Sequence, residues 1–453
     1  MSTTRTPSRI GIWSIAKQYC RRDRRAPGPV SCHAEPVHGT NERVWRGREA
    51  PDSTDDDAGW KIDRAAFRRF SQVDDVFSRS FWDERIRDEK TDQFYATYRR
   101  PLEQWRNARG FRRRDYALRN AAWHVADIFA ELREDEDRRD GFLDPLSVLR
   151  DASDERADIG TPEEAARDIK QVSRVLGADL VGVTAFDERW VYSRRYSRTA
   201  DGEKDNHLGD GLTNVVVIGQ AMDADLIATA PSALAGAATG LGYSQDALVL
   251  LAVAQYIRNM GYQAVPSMND SALAIPYAIK AGLGEYGRHG LVITPELGPN
   301  VRFGKIFTDM PLANDRPIRF GVQKMCNLCR RCTVACPASA IPNGRPSARQ
   351  HNQSNIAGVE KWSVDGEACF GYWSKINSDC SVCIRVCPYT RNYRKRANRW
   401  WARLASTPLR RLALWVDDQR DGGARRSAND WWPGDAAAVA VQLRPRAERR
   451  QMP

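Results

Sequence analysis

Apolar positions recur at helical spacing from Ala165 to Leu176, and Pro162 and Glu163 just ahead mark a helix start. Asp179–Phe186 (DLVGVTAF) and Asn214–Met222 (NVVVIGQAM) are short continuous apolar runs rich in β-branched residues, which predicts two buried strands. Asp246–Tyr262 predicts a long helix. Its most apolar run, Ala247–Ala254, falls short of the roughly 20 residues a membrane span needs and leads into Gln255 and Arg258, as a buried core helix would. Ser271–Lys280 predicts another helix, perturbed by Pro276. A loop with Gly282, Gly284, Gly287 and Gly290 follows. Upstream, residues from about 61 to 160 carry a mainly helical pattern dense in charges. Its aromatics (Phe81, Trp82, Trp105, Tyr116 and Trp123) are expected in the core rather than in a ligand site. Residues 1 to about 60, rich in Arg, Pro, Ser and Asp, are expected to be poorly ordered. The chain ends in a basic, Trp-rich tail, and no repeat of fixed period is visible.

Composition narrows this picture. A chain of 453 residues with 42% apolar residues has enough material for a real core. The formal net charge of +11 comes mostly from Arg. Basic residues are scattered and no nucleic-acid module is recognisable, so the charge is read as a solvated surface and no nucleic-acid partner is expected.

The cysteines change the picture most. Eight of the ten lie between Cys326 and Cys387. The first run is Cys326-x2-Cys329-x2-Cys332-x3-Cys336-Pro337, and the second is Cys369-x10-Cys380-x2-Cys383-x3-Cys387-Pro388. A four-iron cubane needs four soft thiolate donors, and in two-cluster ferredoxins the cysteine before proline serves the opposite cluster. The spacing therefore predicts two [4Fe–4S] clusters. One takes Cys326, Cys329, Cys332 and Cys387; the other takes Cys336, Cys369, Cys380 and Cys383. Zinc sites do not use paired triple runs closed by Cys-Pro, and a disulfide framework belongs to small secreted chains. Cys20 and Cys32, in the leader, are expected to be ordinary free thiols. Two adjacent cubanes form an electron wire, so the chain upstream should hold the chemistry that the wire feeds.

Ala281–Leu312 (AGLGEYGRHGLVITPELGPNVRFGKIFTDMPL) runs directly into the first cysteine run. This arrangement resembles the corrinoid-dependent reductive dehalogenases, the catalytic subunits of organohalide respiration, from about residue 60 to Trp432. The resemblance implies an α+β fold: a nitroreductase-like α/β core that binds cobalamin or a related corrinoid, with an inserted bacterial ferredoxin-like module. The clusters would reduce cobalt to Co(I), and a proton would replace the halogen of a small organohalide. The implied division is a leader (1–60), a helical region (61–160), a corrinoid-binding core (161–315), a double-cluster module (316–395) and a tail packing on the core (396–453). Implied partners are an electron-donor protein or membrane anchor subunit, and a homodimer fits the family. Such enzymes usually carry a twin-arginine signal and work on the outer face of the cytoplasmic membrane. Arg21-Arg22 is followed by Arg24-Arg25 rather than by an apolar region, so the cytoplasm stays open as a location.

Carried over residue by residue, the resemblance makes Tyr243 (LGYSQDA) the proton donor, with Asn269 (SMNDSA) and Arg302 (NVRFGK) beside it. A phenol can hand a proton to a developing carbanion, and a nearby guanidinium, which keeps its own proton, stabilises the phenolate left behind. Trp373 is a substrate-pocket candidate, and Arg288 and His289 are candidate polar contacts to the corrinoid. Asp205-x-His207 with Gly209 approaches a cobalt-ligating motif, but Asp210 breaks it, so His207 is read as a loop histidine. Two other readings stay open: an epoxyqueuosine reductase-like enzyme acting on tRNA, and a non-catalytic iron–sulfur electron carrier.

Overall fold

The computed structural model describes residues 48–49, 59–99, 102–135, 152–197, 202–419 and 423–432. Most of the leader, with Cys20 and Cys32, and the tail beyond 432 lie outside the described residues.

Among the described residues four helices precede the sheet: α1 (Val76–Trp82), α2 (Glu89–Ala96), α3 (Arg113–Asp135) and α4 (Pro162–Val175). The fold is mixed helix and sheet. Its centre is a four-stranded antiparallel sheet of β1 (Leu180–Ala185), β2 (Asn214–Ala221), β3 (Ala264–Ser267) and β4 (Val301–Thr308), in the order β1-β2-β4-β3. The register aligns Val183, Val216 and Ile306 in one row across the sheet. That row packs under α4 (Pro162–Val175) and α5 (Ala233–Asn259), against Ile169, Leu250, Val253 and Ile257. The neighbouring row, Val215 and Phe307, faces the opposite side and meets Trp190 and Tyr277. Tyr277 sits on α6 (Ala274–Lys280). The alternation of strand side chains thus splits one sheet between two apolar cores.

The helix-start signal before residue 165 is realised as a capping box, with Thr161 and Glu164 each bonding the other's backbone and Pro162 at the first position. Pro276 falls in the first turn of α6, where its missing N–H has no intrahelical partner to lose. The largest departure from expectation is α5, which begins at Ala233 rather than Asp246. By length and composition this helix could cross a membrane, but 72% of its most apolar window is buried inside the protein, so the sheet accounts for its hydrophobicity.

After β4 the chain enters the cysteine region through α7 (Val322–Cys329), α8 (Arg331–Ala335), α9 (Gly366–Ile376) and α10 (Val382–Arg385), and continues into α11 (Arg396–Ser406), α12 (Arg410–Asp418) and a short helix α13 (Ala428–Trp431). The glycine loop joins core to cysteines. Glu285 accepts the N–H groups of Phe320, Gly321 and Val322, capping the helix that presents Cys326.

Candidate active site

Helix α5 and strand β4 bring Tyr243 and Arg302 together, and the turn after β3 adds Asn269. The Asn269 amide donates to the Tyr243 phenol oxygen. The Arg302 guanidinium lies 4.1 Å from the centroid of the Tyr243 ring, and Trp123 of α3 stacks on the same ring at 4.8 Å. A donor to the oxygen and a cation over the ring both favour the phenolate, so both ease release of the phenolic proton.

This close approach depends on missing side chains. On α5, a Cβ at Gly240 would stand 2.3 Å from Trp123 Cδ1, and one at Gly242 would stand 2.8 Å from Arg302 Cγ. Gly236, a turn earlier, clears room for Arg119 and for the Asp379 carboxylate. Gly240→Ala should therefore push Trp123 off the Tyr243 ring. The steric cost, about 1–3 kcal/mol, outweighs the roughly 1 kcal/mol of helix propensity that alanine restores. A lowered denaturation midpoint with altered tryptophan fluorescence is expected; a stabilised protein with unchanged fluorescence would contradict this packing.

Tyr243, Asn269, Arg302, Trp373 and Trp123 line one cavity of about 1610 Å³, along with Thr239, Tyr98 and Asp379. Small-molecule pockets run roughly 300–1,000 Å³, so this space exceeds what a small substrate alone requires. Buried polar atoms on its wall without a hydrogen-bond partner among the described residues include Trp123 Nε1, Trp373 Nε1 and Asp379 Oδ2. Tyr98 donates to the other Asp379 oxygen, and Arg119 lies 3.6 Å from the Tyr98 ring centroid. Burial lowers the Arg302 guanidinium to about 10, with Asp379 acting in the opposite sense, so Arg302 stays charged at neutral pH. The part of Arg302 that remains accessible opens onto the cavity. Deeper in, Asp246 is wholly buried and neither of its carboxylate oxygens is bonded; burial pushes its carboxyl well up. Burial also draws Lys305 down to about 8, opposed by Asp270 and Asp246.

Asp379 leads directly into Cys380, so the cavity abuts the cysteine region. None of the eight cysteines there is in a disulfide. Cys387 is within electrostatic reach of Cys326, Cys329 and Cys332. Cys369 is within reach of Cys380 and Cys336, and Cys383 of all three. Cys383 also reaches Cys332, so the two groups adjoin. Burial raises the thiols, Cys380 to about 11 and Cys332 and Cys369 to about 12. Deprotonation at such sites must be driven by metal, with release of protons on binding.

Residues 325–390 match the family described as 4Fe-4S double cluster binding domain. Residues 210–312 match the reductive dehalogenase subunit family. The tetrachloroethene reductive dehalogenase of Sulfurospirillum multivorans is 35% identical over 308 residues, 61% of this chain and 60% of that protein. The chain thus spans about three fifths of that dehalogenase. A catabolic reductive dehalogenase solved with 3-bromo-4-hydroxybenzoic acid superposes with a TM-score of 0.66 at 23% identity, covering 86% of this chain and 51% of that one; at this identity the likeness is one of fold. An epoxyqueuosine reductase from a Synechococcus species is 27% identical over 161 residues, 31% of this chain and 43% of that protein, a weaker similarity.

Trp373 lines the cavity and also packs beside Cys332 and Cys380. Trp123, expected as a core residue, is a wall of the cavity. Arg288 is buried and donates to the carbonyls of Cys326, Pro342 and Gly344, in the cysteine region. His289 is buried, accepts from Leu291 N–H and is lowered to about 4 by burial, hence neutral. His207 is exposed and faces Asp210 at 3.4 Å, away from the cavity lining. Tyr98 and Asp379 were not anticipated. The one signal for Asp379 was its place directly before a cysteine.

Proposed function

We propose that this chain is a reductive dehalogenase that replaces a halogen of an organohalide by hydrogen (R–X + 2e⁻ + H⁺ → R–H + X⁻). The observation that carries this reading is the convergence of Tyr243, Asn269 and Arg302 on a large cavity whose lining also holds Trp373 and Asp379, the residue before Cys380. Tyr243 donates the proton from its phenol oxygen. Asn269 and Arg302 hold the resulting phenolate. A corrinoid held there would supply the low-valent cobalt chemistry for cleaving a carbon–halogen bond. Its size suits the cavity, and Trp123, Trp373, Asp379 and Arg302 offer polar groups that would hold it. Cys326, Cys329, Cys332 and Cys387 would bind one cluster, and Cys336, Cys369, Cys380 and Cys383 the one nearer the cavity. We further assign residues 161–315 to a nitroreductase-like corrinoid-binding core, 316–395 to the ferredoxin-like module, and the tail of 396–453, described as far as 432, to packing on the core. An electron-donor protein or anchor subunit would complete the system.

Anaerobic reconstitution with iron, sulfide and cobalamin, then a halide-release screen over chlorinated alkenes and halophenols with a low-potential reductant, tests this reading. One halide per two electrons is expected. Protein loaded with both clusters and cobalt that releases no halide would refute it, as would turnover of an epoxide-bearing tRNA instead.

A further inference from the structure

The outer face of α11 and α12 has no role in the site above. The inner face of α11 and α12 packs on the group that holds Cys326 and Cys387: Trp401, Ala405 and Ala413 are fully buried there. Trp401 Nε1 donates to Ala413 O at 2.8 Å. Arg331, next to Cys332, pairs with Asp417 and Asp418 at the end of α12. The hairpin is thus fixed beside the first cysteine run, where Cys329 is partly exposed.

Its outer face is basic and apolar at once. No Asp or Glu occurs between Arg391 and Val416. Arg394, Lys395, Arg396, Arg403 and Arg411 are exposed and have no carboxylate partner among the described residues. Among them stand Trp400 (53% exposed), Leu412 (44%) and Trp415 (59%). Helical spacing puts Arg396, Trp400 and Arg403 on one stripe of α11, and Arg411, Leu412 and Trp415 on neighbouring positions of α12. A helix lying in a lipid surface separates its charged face from its apolar face. Here guanidinium and indole alternate along one stripe while the other apolar face is spent inside the protein. Interspersed Arg and Trp is the composition of a protein interface, and its charge calls for an acidic partner.

We propose that the outer face of α11 and α12 is the docking surface for an acidic one-electron carrier protein, which reduces the cluster of Cys326, Cys329, Cys332 and Cys387. This rests on the dehalogenase reading for what the electrons then do. In each encounter the reduced carrier gives up one electron and that cluster gains one; two encounters and one proton supply each halide released. The cluster of Cys336, Cys369, Cys380 and Cys383, beside the cavity, is second in line.

The test follows cluster bleaching rather than halide release. Reconstituted full-length protein is mixed anaerobically with a reduced acidic [2Fe–2S] ferredoxin, and separately with dithionite, in a stopped-flow instrument. Arg396→Glu/Arg403→Glu/Arg411→Glu should slow reduction by ferredoxin about ten-fold or more at low salt. The difference should shrink as salt rises, with dithionite rates unchanged. Trp415→Ala should slow the ferredoxin reaction at all salt concentrations. Equal ferredoxin rates in wild type and both variants, with clusters intact, would overturn the proposal. So would loss of binding to phosphatidylglycerol vesicles, or of self-association in sedimentation, while ferredoxin rates stay equal; those results would assign the face to lipid or to a second copy. A protein that cannot be loaded with clusters would instead overturn the reading on which the proposal rests.

Discussion

Tyr243→Phe should lower halide release by about 10²–10⁴-fold, the usual worth of a positioned proton donor, while leaving iron, sulfide and cobalt contents unchanged. The substitution is well isolated. Phenylalanine keeps the stack on Trp123 and the ring beneath Arg302, and removes only the oxygen that Asn269 bonds. The freed Asn269 amide faces the cavity and can be solvated, so the stability cost should stay within about 0.5–1.5 kcal/mol. A thermal melt and a cobalt assay separate loss of chemistry from loss of fold. Turnover at the wild-type rate would remove Tyr243 from the reaction.

Cys387→Ala should remove the cluster of the first cysteine run, although residue 387 closes the second. Its thiol stands with Cys326, Cys329 and Cys332, and Cys326 and Cys387 share one apolar enclosure with Phe320 and Trp401. Iron should fall from about eight to about four atoms per chain. In the reduced protein, the electron paramagnetic resonance spectrum should lose one cubane and any coupling between the two. Cys336→Ala should do the reverse and spare the Cys326 cluster. If Cys387→Ala instead removed the cluster that includes Cys380, the crossed assignment would be wrong.

The cysteine pattern was legible because it is local: its meaning lies in intervals of two and three residues. The strands at 180–185 and 214–221 were legible for a similar reason, being short runs rich in β-branched residues. The first half of α5 was not. Its small and apolar residues face protein all round and leave no amphipathic period to read. Strand β4 was hidden by Arg302 and Lys305, charges that look like solvent positions until the fold buries Lys305 and turns Arg302 toward the cavity. Pro266 disguised β3 in the same way. Tyr243, Asn269 and Arg302 came from a likeness of order and interval, and nothing in their immediate neighbours distinguishes them. Trp123, Tyr98 and Asp379 escaped because they join the cavity from more than a hundred residues away on either side of Tyr243.

The bare backbone of α5 at Gly236, Gly240 and Gly242 separates two properties of the pocket. Clearance is created by the helix that carries Tyr243, whereas bulk is contributed by neighbours on α3, β4 and the segment before Cys380. A lineage could therefore recut the chamber for a bulkier or flatter halide by exchanging Trp373 for another side chain, leaving the stack of Trp123 on the phenol in place.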